Sequence, residues 1–429
     1  MPRTLLGTGV SGSVPADCDG PAMLSSALRV CIWCRQAERL TLGAFVSRIA
    51  AWPQKFWLPK TMQADDARLL RFTGHAYFRQ RLILATFAKR PVRIDKIRPD
   101  DEEPGIRDFE AGFLRLLEKV TDGSRVEINY TGTSVYYHPG VISGGPVTHD
   151  CGTSRAIGYF FEWIVLLAPF AKQELALTLR GITTGMGDLG ADTLRTVMLP
   201  TLASFMPLDS VSMLSSAMEL RIVKRGAPPL GGGEIFFRAP LVSLLRPLNF
   251  VEAGRIRKIR GIASAVRVSP QMANRMIDAA RSVLNRYIPD LYLFSDVYRG
   301  EESGKSPGFA MSLVATSTTD ALHSAEATSS PGVTPEDVGL LAARQLLSEI
   351  QAGGCIDRSQ QPMALVLMAL GPEDVAKVQL GALTPQAIQC LRDIRDALGV
   401  VFKIKPVPES DEHVLSCVGI GFRGYKKAN

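Results

Sequence analysis

Residues and segments that usually indicate a catalytic site, a metal site, a disulfide framework or a membrane span are scarce in this sequence. Histidine occurs only five times in 429 residues, at His75, His138, His149, His323 and His413. No Ser/His/Asp triad, paired-histidine site or carboxylate metal site can be recognised around them. The seven cysteines are an odd number and scattered, which excludes a disulfide framework and is typical of a reducing compartment. The apolar stretch 155–170 is too short to span a bilayer, so we expect no membrane association.

A strong charge of one sign is also missing from most of the chain. The formal net charge is +7, but residues 1–63 carry seven basic and three acidic side chains, which leaves only +3 for the other 366 residues. Overall charge is therefore a weak argument for a nucleic-acid partner. With 46% hydrophobic and 21% charged residues, the composition is that of a globular protein. The chain is long enough for two or three domains, or for one large domain with an insertion.

The first 66 residues differ in composition from the rest. They contain three of the four tryptophans and the only Cys-x-x-Cys motif, Cys31 and Cys34. A zinc site needs a second ligand pair nearby, and a thioredoxin-like motif needs a preceding strand, and neither is found. The segment contains arginine and few acids, as organelle transit peptides do, but it forms no clean amphipathic helix. We interpret residues 1–66 as a divergent N-terminal extension without an assigned function.

The stretch around residues 69–87 has the clearest organisation. A short apolar run ends in Thr73-Gly74, and apolar residues at helical spacing follow. A strand, a tight turn and a helix N-terminus together favour anion binding, because free backbone N–H groups point at one place. Arg79 and Arg81 add two cations. Only one glycine is present, whereas phosphate loops normally need several, so the pattern predicts a binding scaffold without nucleotide chemistry.

Strand and helix patterns alternate from this point to the C-terminus. Helices are predicted over residues 155–170 and from 192 to about 205, and others start at Ser269-Pro270, Thr334-Pro335 and Thr384-Pro385. A strand is predicted for residues 400–404. Helices paired with short strands recur three times, which predicts an α/β protein built from similar units.

Two glycine-containing stretches could hold phosphate. Gly231-Gly232-Gly233 is flanked by strand patterns and opens no helix, so a tight connection between strands is favoured over a phosphate loop. Residues 300–306 look like a P-loop, but three residues separate the glycines instead of four, and Pro307 prevents the helix that would bind phosphate. A turn that exposes Lys305 is the favoured interpretation.

A basic segment follows the first glycine stretch and includes the second. Residues 250–310 carry ten basic and six acidic side chains. The cations that we select as candidates lie on a strand and just after it: Arg255, Arg257, Lys258, Arg260 and Arg267. They could bind an RNA backbone or an acidic protein face, or they could simply form a solvated surface. The sequence favours neither the binding role nor the solvated surface.

Five strings in the chain carry a family resemblance. They are residues 72–84 (FTGHAYFRQRLIL), 260–263 (RGIA), 267–275 (RVSPQMANR), 303–309 (SGKSPGF) and 418–422 (VGIGF). Together they resemble the RNA 3'-terminal phosphate cyclase family, and most closely its cyclase-like branch, in which F-T-G-H-x-x-F-R-Q-R-L replaces a Gly-rich loop. The resemblance covers the chain from about Leu69 to the C-terminus.

The resemblance implies a fold and a division into domains. Members of this family consist of three repeats of two helices on a four-stranded sheet, with a smaller inserted α/β domain. We therefore expect a repeat domain at residues 67–249 and 323–429, interrupted by an inserted domain at 250–322.

The resemblance also bears on activity. Cyclases adenylylate a catalytic histidine, and its position falls near Gln386, whose amide cannot form that intermediate. The expectation is therefore a protein without cyclase activity, catalytic residues, metal or cofactor. The cyclase-like branch implies a ribosome-biogenesis factor of the small-subunit processome, which acts in early pre-rRNA processing in the nucleus and nucleolus. A pre-rRNA endonuclease is the alternative, and an active RNA 3'-phosphate cyclase is a more remote one.

The partners expected from the resemblance are a ribosome-assembly GTPase and the pre-ribosomal particle with its pre-rRNA. The residues proposed to contact RNA or a protein partner are eight cations: Arg79, Arg81, Arg255, Arg257, Lys258, Arg260, Arg267 and Lys305.

Overall fold

A computed structural model describes residues 69–207 and 218–425. The predicted N-terminal extension, with Cys31 and Cys34, lies outside these residues. The described part is a mixed α/β protein, which confirms the predicted fold class.

The strands are short and occur throughout the described chain. In order they are β1 (Leu70–Thr73), β2 (Val92–Asp95), β3 (Thr121–Asp122), β4 (Arg125–Ile128), β5 (Val135–His138), β6 (Val141–Ile142), β7 (Pro146–Asp150), β8 (Leu175–Gly181), β9 (Glu219–Lys224), β10 (Gly233–Ala239), β11 (Asn249–Phe250), β12 (Ile256–Val266), β13 (Leu291–Tyr298), β14 (Gly308–Ser317), β15 (Leu322–Thr328), β16 (Val375–Leu380), β17 (Lys403–Pro406) and β18 (His413–Val418).

The helices alternate with these strands. They are α1 (Phe78–Ala88), α2 (Asp108–Val120), α3 (Ile157–Ile164), α4 (Ala191–Thr193, a π-helical turn Leu194–Met198 and Leu199–Ala203), α5 (Pro270–Leu284), α6 (Pro335–Ala352), α7 (Gln361–Leu370) and α8 (Pro385–Leu398). Short 3₁₀ turns lie at Ala168–Phe170, Gly300–Glu302 and Arg358–Gln360.

Three four-stranded sheets have the same internal order. Their strands are arranged β1-β2-β5-β4, β7-β8-β10-β9 and β11-β16-β18-β17. In each sheet the first two strands are parallel and the other pairings are antiparallel. Each parallel pair requires a crossover, and a helix supplies it, as α1 does between β1 and β2. The order therefore follows one pattern of strands and helices used three times.

A fourth sheet has the order β13-β12-β14-β15. Strand β12 is parallel to β13 and antiparallel to β14. Helices α5 and α6 cover one face of this sheet and form a separate, smaller core with residues such as Ile259, Leu313 and Leu346. That core draws on the chain from β12 to α6. The division at residues 250–322 stays a prediction, and its second boundary falls at the start of β15.

Capping residues fix several helix ends. Ser269 accepts a hydrogen bond from the Gln271 amide at the start of α5, and Thr334 forms a reciprocal capping box with Asp337 at the start of α6. Gly399 adopts φ +75° and ends α8.

The helix predicted over 155–170 ends earlier, at Ile164, and a 3₁₀ turn that contains Pro169 follows. Proline cannot donate the hydrogen bond that would continue the helix.

Candidate functional site

The turn between β1 and α1 has the predicted geometry. β1 ends at Thr73, Gly74 adopts φ +80°, and α1 begins at Phe78 after Tyr77 with φ 59°. The Gly74 amide donates to the Asp95 carbonyl at 2.9 Å, so this N–H belongs to the turn's own hydrogen bonding. The turn therefore differs from a phosphate loop, in which several amides point towards one ligand.

Arg79 makes internal contacts. Its guanidinium lies 2.9 Å from the Glu162 carboxylate, 3.9 Å from the centre of the Tyr159 ring, and donates to the Tyr159 carbonyl. The side chain is only 16% exposed. Its Nη1 group and its charge are therefore directed towards α3.

Arg81 is buried more deeply. Its Nη1 donates to the Thr73 carbonyl at 3.2 Å, its Nε lies 3.6 Å from Asp393 of α8, and its guanidinium stacks over the Phe72 ring. Burial lowers the pKa of Arg81 and raises that of Asp393, although each partner favours the other's charge. We infer that Arg81 joins the β1–α1 turn to α8.

Asp393 connects α8 to α1 through further contacts. Gln80 donates to one of its oxygens at 2.6 Å, and Gln389 donates to the other at 2.8 Å. The two segments in which the family resemblance places cyclase chemistry therefore lie side by side. Amides and one arginine, however, surround the carboxylate that joins them.

The position at which the resemblance places the catalytic histidine lies in the first turn of α8. Gln386 is half-buried there, two residues after Thr384, whose hydroxyl accepts from the Ala387 amide at 3.1 Å. The helix start is thus intact, and the residue at the nucleophile position is an amide. An amide nitrogen has no available lone pair with which to attack a phosphate.

The strand cations of the fourth sheet lie at its solvent-facing end. Arg255 and Arg257 are exposed, while Lys258 and Arg260 are half-buried. Arg257 lies 3.6 Å from Asp320, and Arg260 lies 2.9 Å from Asp290. The hydrogen bond from Arg260 lowers the pKa of Asp290, and the nearby Lys258 and Arg257 add to that effect. This end of the sheet is therefore net positive.

Arg267 and Lys305 belong to a different place. Arg267, at the end of β12 with φ 54°, donates to the Gly304 carbonyl at 2.5 Å. The Lys305 amide donates to the Gly231 carbonyl at 2.8 Å, and its side chain is exposed. A Cβ on Gly304 would collide with the Gly231 carbonyl, so glycine is required for this close packing.

The two glycine-containing stretches therefore pack against one another. Gly231 and Gly232 connect the antiparallel strands β9 and β10, as the favoured interpretation predicted. The P-loop-like stretch forms a 3₁₀ turn and then enters β14 without a helix. The eight predicted cations thus fall into three separate groups, and their role in binding RNA or a partner stays a prediction.

Sequence patterns missed an ion cluster centred on Arg225. This buried side chain makes two hydrogen bonds to Asp192 of α4, at 2.7 and 2.9 Å, and two to Asp296 of β13, at 3.0 and 2.7 Å. Burial disfavours its charge, but the two carboxylates keep the pKa of Arg225 raised. The three residues come from separate segments, so no local spacing could have indicated the cluster.

Within residues 69–207 and 218–425, no group of three or more His, Cys, Asp or Glu side chains is arranged to hold a metal ion. None of the helices described there is long and apolar enough to cross a membrane.

Three sheets of one strand order, a fourth sheet with a separate small core, and the adjoining α1 and α8 agree with the class of protein that the sequence resembles. Residues 70–404 match the family described as RNA 3'-terminal phosphate cyclase. The chain belongs to this family.

Within the family, it is similar to proteins named cyclase-like. It is 48% identical to the RNA 3'-terminal phosphate cyclase-like proteins of Bos taurus and Homo sapiens, over 85% of this chain and 99% of each relative. It is 45% identical to the rRNA processing protein rcl1 of Schizosaccharomyces pombe, over 83% of this chain and 98% of that protein.

Proposed function

We propose that this chain is a non-catalytic factor of ribosome biogenesis that acts in pre-rRNA processing. The observation that carries the proposal is an intact α8 start with Gln386 near the place where the family resemblance puts the catalytic histidine, on a helix whose Asp393 pairs with the enclosed Arg81 of α1. The fission yeast relative, named an rRNA processing protein, supports the pathway. The scaffold of a cyclase would thus serve to bind rather than to catalyse.

The proposal extends to the setting in which the chain acts. We place it in the small-subunit processome, in early cleavage of pre-rRNA, with a ribosome-assembly GTPase as partner and with residence in the nucleus and nucleolus. The exposed and half-exposed cations that we propose for contact with RNA or a partner are Arg255, Arg257, Lys258, Arg260, Arg267 and Lys305. Arg79 and Arg81 would contribute through the shape of the β1–α1 turn, because their side chains are mostly enclosed.

Complementation tests the proposal. In S. pombe depleted of its rcl1, expression of this chain should restore the normal pattern of pre-rRNA intermediates on a northern blot. A variant with Gln386→Ala should restore it equally well, because a non-catalytic factor does not use that amide in any reaction. Failure of the wild-type chain, at a protein level matching the native relative, would contradict the proposed pathway.

An in vitro assay separates the proposal from endonuclease action. Purified chain, incubated with pre-rRNA transcripts and Mg²⁺, should leave them uncut. Specific cleavage that copurifies with the wild-type chain through successive columns would show that the protein is an enzyme and would overturn the non-catalytic part of the proposal.

A further inference from the structure

The open face of the fourth sheet carries two large exposed aromatic side chains on its edge strand. Tyr292 and Phe294 of β13 are 59% and 55% exposed. They lie two residues apart, and Leu293 between them points into the small core beneath α5 and α6. Alternation along a strand therefore directs both rings away from the helices, onto the face that they leave open.

The two rings form an ordered pair. Their centroids are 6.0 Å apart, and their planes differ by 26°, so their faces are nearly parallel. Folded proteins usually bury such rings, and two adjacent exposed ones mark a candidate interaction surface. The faces of stacked rings accept other flat π systems.

Cations border the pair on the neighbouring strand. Arg260 is the register partner of Tyr292, and its guanidinium lies 5.1 Å from the centre of the Tyr292 ring. Its hydrogen bonds to Asp290 and to the Ile259 and Asp290 carbonyls are made through Nη1. Lys258 is two residues before Arg260 on the same strand, and Arg257 lies beside a bulge at the strand's start. Three cations thus lie near the carboxylate of Asp290, and one of them, Arg257, also lies 3.6 Å from Asp320.

The rest of the protein closes the other half of this face. Beyond Phe294, Asp296 is hydrogen-bonded to Arg225, and Ser312 of β14 lies 3.1 Å from the Thr193 hydroxyl of α4. The open area is therefore limited to the aromatic pair and the cations beside it. It is small and net positive, and it lacks the broad apolar surface that a docked protein helix or sheet would bury.

We propose that Tyr292 and Phe294 stack against two successive bases of a single-stranded RNA, while Arg260 and Lys258 contact its phosphates. Aromatic side chains combined with a positively charged path are how proteins hold unpaired strands, because every base offers a π face. Bases within a duplex would not be available to both rings, so unpaired RNA is the ligand that fits. This inference rests on the proposed function only in taking RNA as the ligand.

The test uses the full chain and a fluorescently labelled, unstructured RNA of ten nucleotides in an anisotropy titration. The double variant Tyr292→Ala, Phe294→Ala should raise the Kd at least about tenfold, as expected for the removal of base stacking. A matched control, Tyr130→Ala, removes a fully exposed aromatic residue between β4 and β5 and should leave the Kd unchanged. The ring-retaining variant Tyr292→Phe should also bind as the wild type does.

Two further measurements separate stacking from charge. A strand of the same length without bases should bind the wild type and the double variant equally, since it has no rings to stack. The variant Lys258→Gln, Arg260→Gln should reduce the slope of log K against log salt, by roughly 0.7 for each phosphate of a single strand that is no longer neutralised. The aromatic double variant should keep the wild-type slope.

Clear results would overturn the inference. These are an unchanged Kd for the double variant, an equal weakening on the base-free strand, or no measurable binding of RNA by the wild type. If the double variant still binds RNA but no longer associates with the pre-ribosomal particle, the aromatic pair contacts a protein partner instead. If the double variant does not fold, crosslinking of wild-type chain to bromouridine-substituted RNA decides, because the crosslinked peptide should contain residues 291–298.

A failure of this inference can be distinguished from a failure of the proposed function. Complementation by the wild-type chain reports on the pathway, whereas the anisotropy comparison reports on this surface. The chain could restore pre-rRNA processing and still show no stacking of bases on Tyr292 and Phe294, in which case only this inference would fail.

Discussion

At the scale of single residues, buried charged side chains show most clearly how distant segments of the chain are joined. Arg81 and Asp393 are separated by more than 300 positions in the sequence, and only the fold brings α1 and α8 together. The sequence predicts Arg81 as a cation beside an anion site because it follows a turn. Its observed neighbours, the Phe72 ring and the Thr73 carbonyl, are provided by the same turn.

We predict that Asp393→Ala destabilises the protein by about 3–5 kcal/mol, because it leaves the buried Arg81 without its counter-charge. Chemical denaturation with a constant m-value would measure the decrease. The matched control is Asp396→Ala on the same helix, where the partner is the exposed Arg395 and the change should stay below about 1 kcal/mol. Adding Arg81→Met to Asp393→Ala should recover part of the stability, and purely additive effects would contradict the proposed pairing.

His149 gives a prediction about pH. Burial lowers its pKa to about 4, and the nearby Lys119 contributes, whereas an unfolded histidine titrates near 6.5. The folded state therefore holds this side chain neutral, and the resulting stability is fully present above pH 6.5. It is lost as the pH falls towards 4, because the unfolded chain binds the proton first.

Replacement of His149 by leucine should remove this part of the acid sensitivity. The free energy of unfolding, measured from pH 7 to pH 4, should fall less steeply for His149→Leu than for the wild type. The Nε2 atom of His149 has no hydrogen-bond partner among the described residues, so the variant breaks no hydrogen bond at that atom. Parallel pH profiles for the two proteins would contradict this assignment.

At the scale of elements, local signals in the sequence are sufficient where a cap or a breaker is present. Ser269-Pro270, Thr334-Pro335 and Thr384-Pro385 each begin a helix at the predicted place. Prediction is less accurate where the chain continues without such a signal. The strand expected at 400–404 is observed at Lys403–Pro406, because register with β18, a tertiary contact, fixes its position.

Of the candidate binding surface on the fourth sheet, the sequence could predict the cations of β12 but not the exposed aromatic pair of β13. A run of basic residues is visible in a sequence, so the cations of β12 could be selected. The exposure of Tyr292 and Phe294 could not be foreseen, since the strand has apolar residues on both faces. Which face is open depends on the placement of α5 and α6, and alternation alone does not reveal it.

We also predict a role for the cations Arg257 and Lys258 at the start of β12. Reversal of charge in the variant Arg257→Glu, Lys258→Glu should weaken association with the pre-ribosomal particle and reduce its dependence on salt, because phosphate contacts release counterions. The melting temperature should hardly change, since Arg257 is exposed, Lys258 is only half-buried, and charges at a protein surface contribute little to stability. Co-sedimentation across a salt series, with the melting curve measured alongside, checks both expectations.

The matched control for that variant is Arg125→Glu, an exposed cation of β4 in the first sheet. It should sediment with the particle as the wild type does. An unchanged salt slope for the β12 variant would mean that these cations are only solvated. A melting temperature lowered by many degrees would mean instead that they stabilise the fold.

At the scale of the whole molecule, three sheets of one strand order form a common core, and the fourth sheet contacts it through polar residues that include the buried Arg225. Arg225 follows β9 of the second sheet and donates hydrogen bonds to Asp296 of the fourth sheet. In the loop between β9 and β10, the Gly231 carbonyl accepts a hydrogen bond from the Lys305 amide. The position of the fourth sheet is therefore fixed by specific polar contacts. The chain thus has three sheets of one strand order, and a glutamine, Gln386, lies near the place in α8 where the family resemblance puts the catalytic histidine.

The most direct test of the non-catalytic role is incubation of the purified chain with radiolabelled ATP and RNA that ends in a 3'-phosphate. The glutamine at 386 provides no nucleophile, so no covalent protein–AMP should form, and the RNA ends should remain uncyclised. An active cyclase run in parallel provides the positive signal. An acid-labile protein–AMP adduct, absent when one of the five histidines is replaced, would contradict this role.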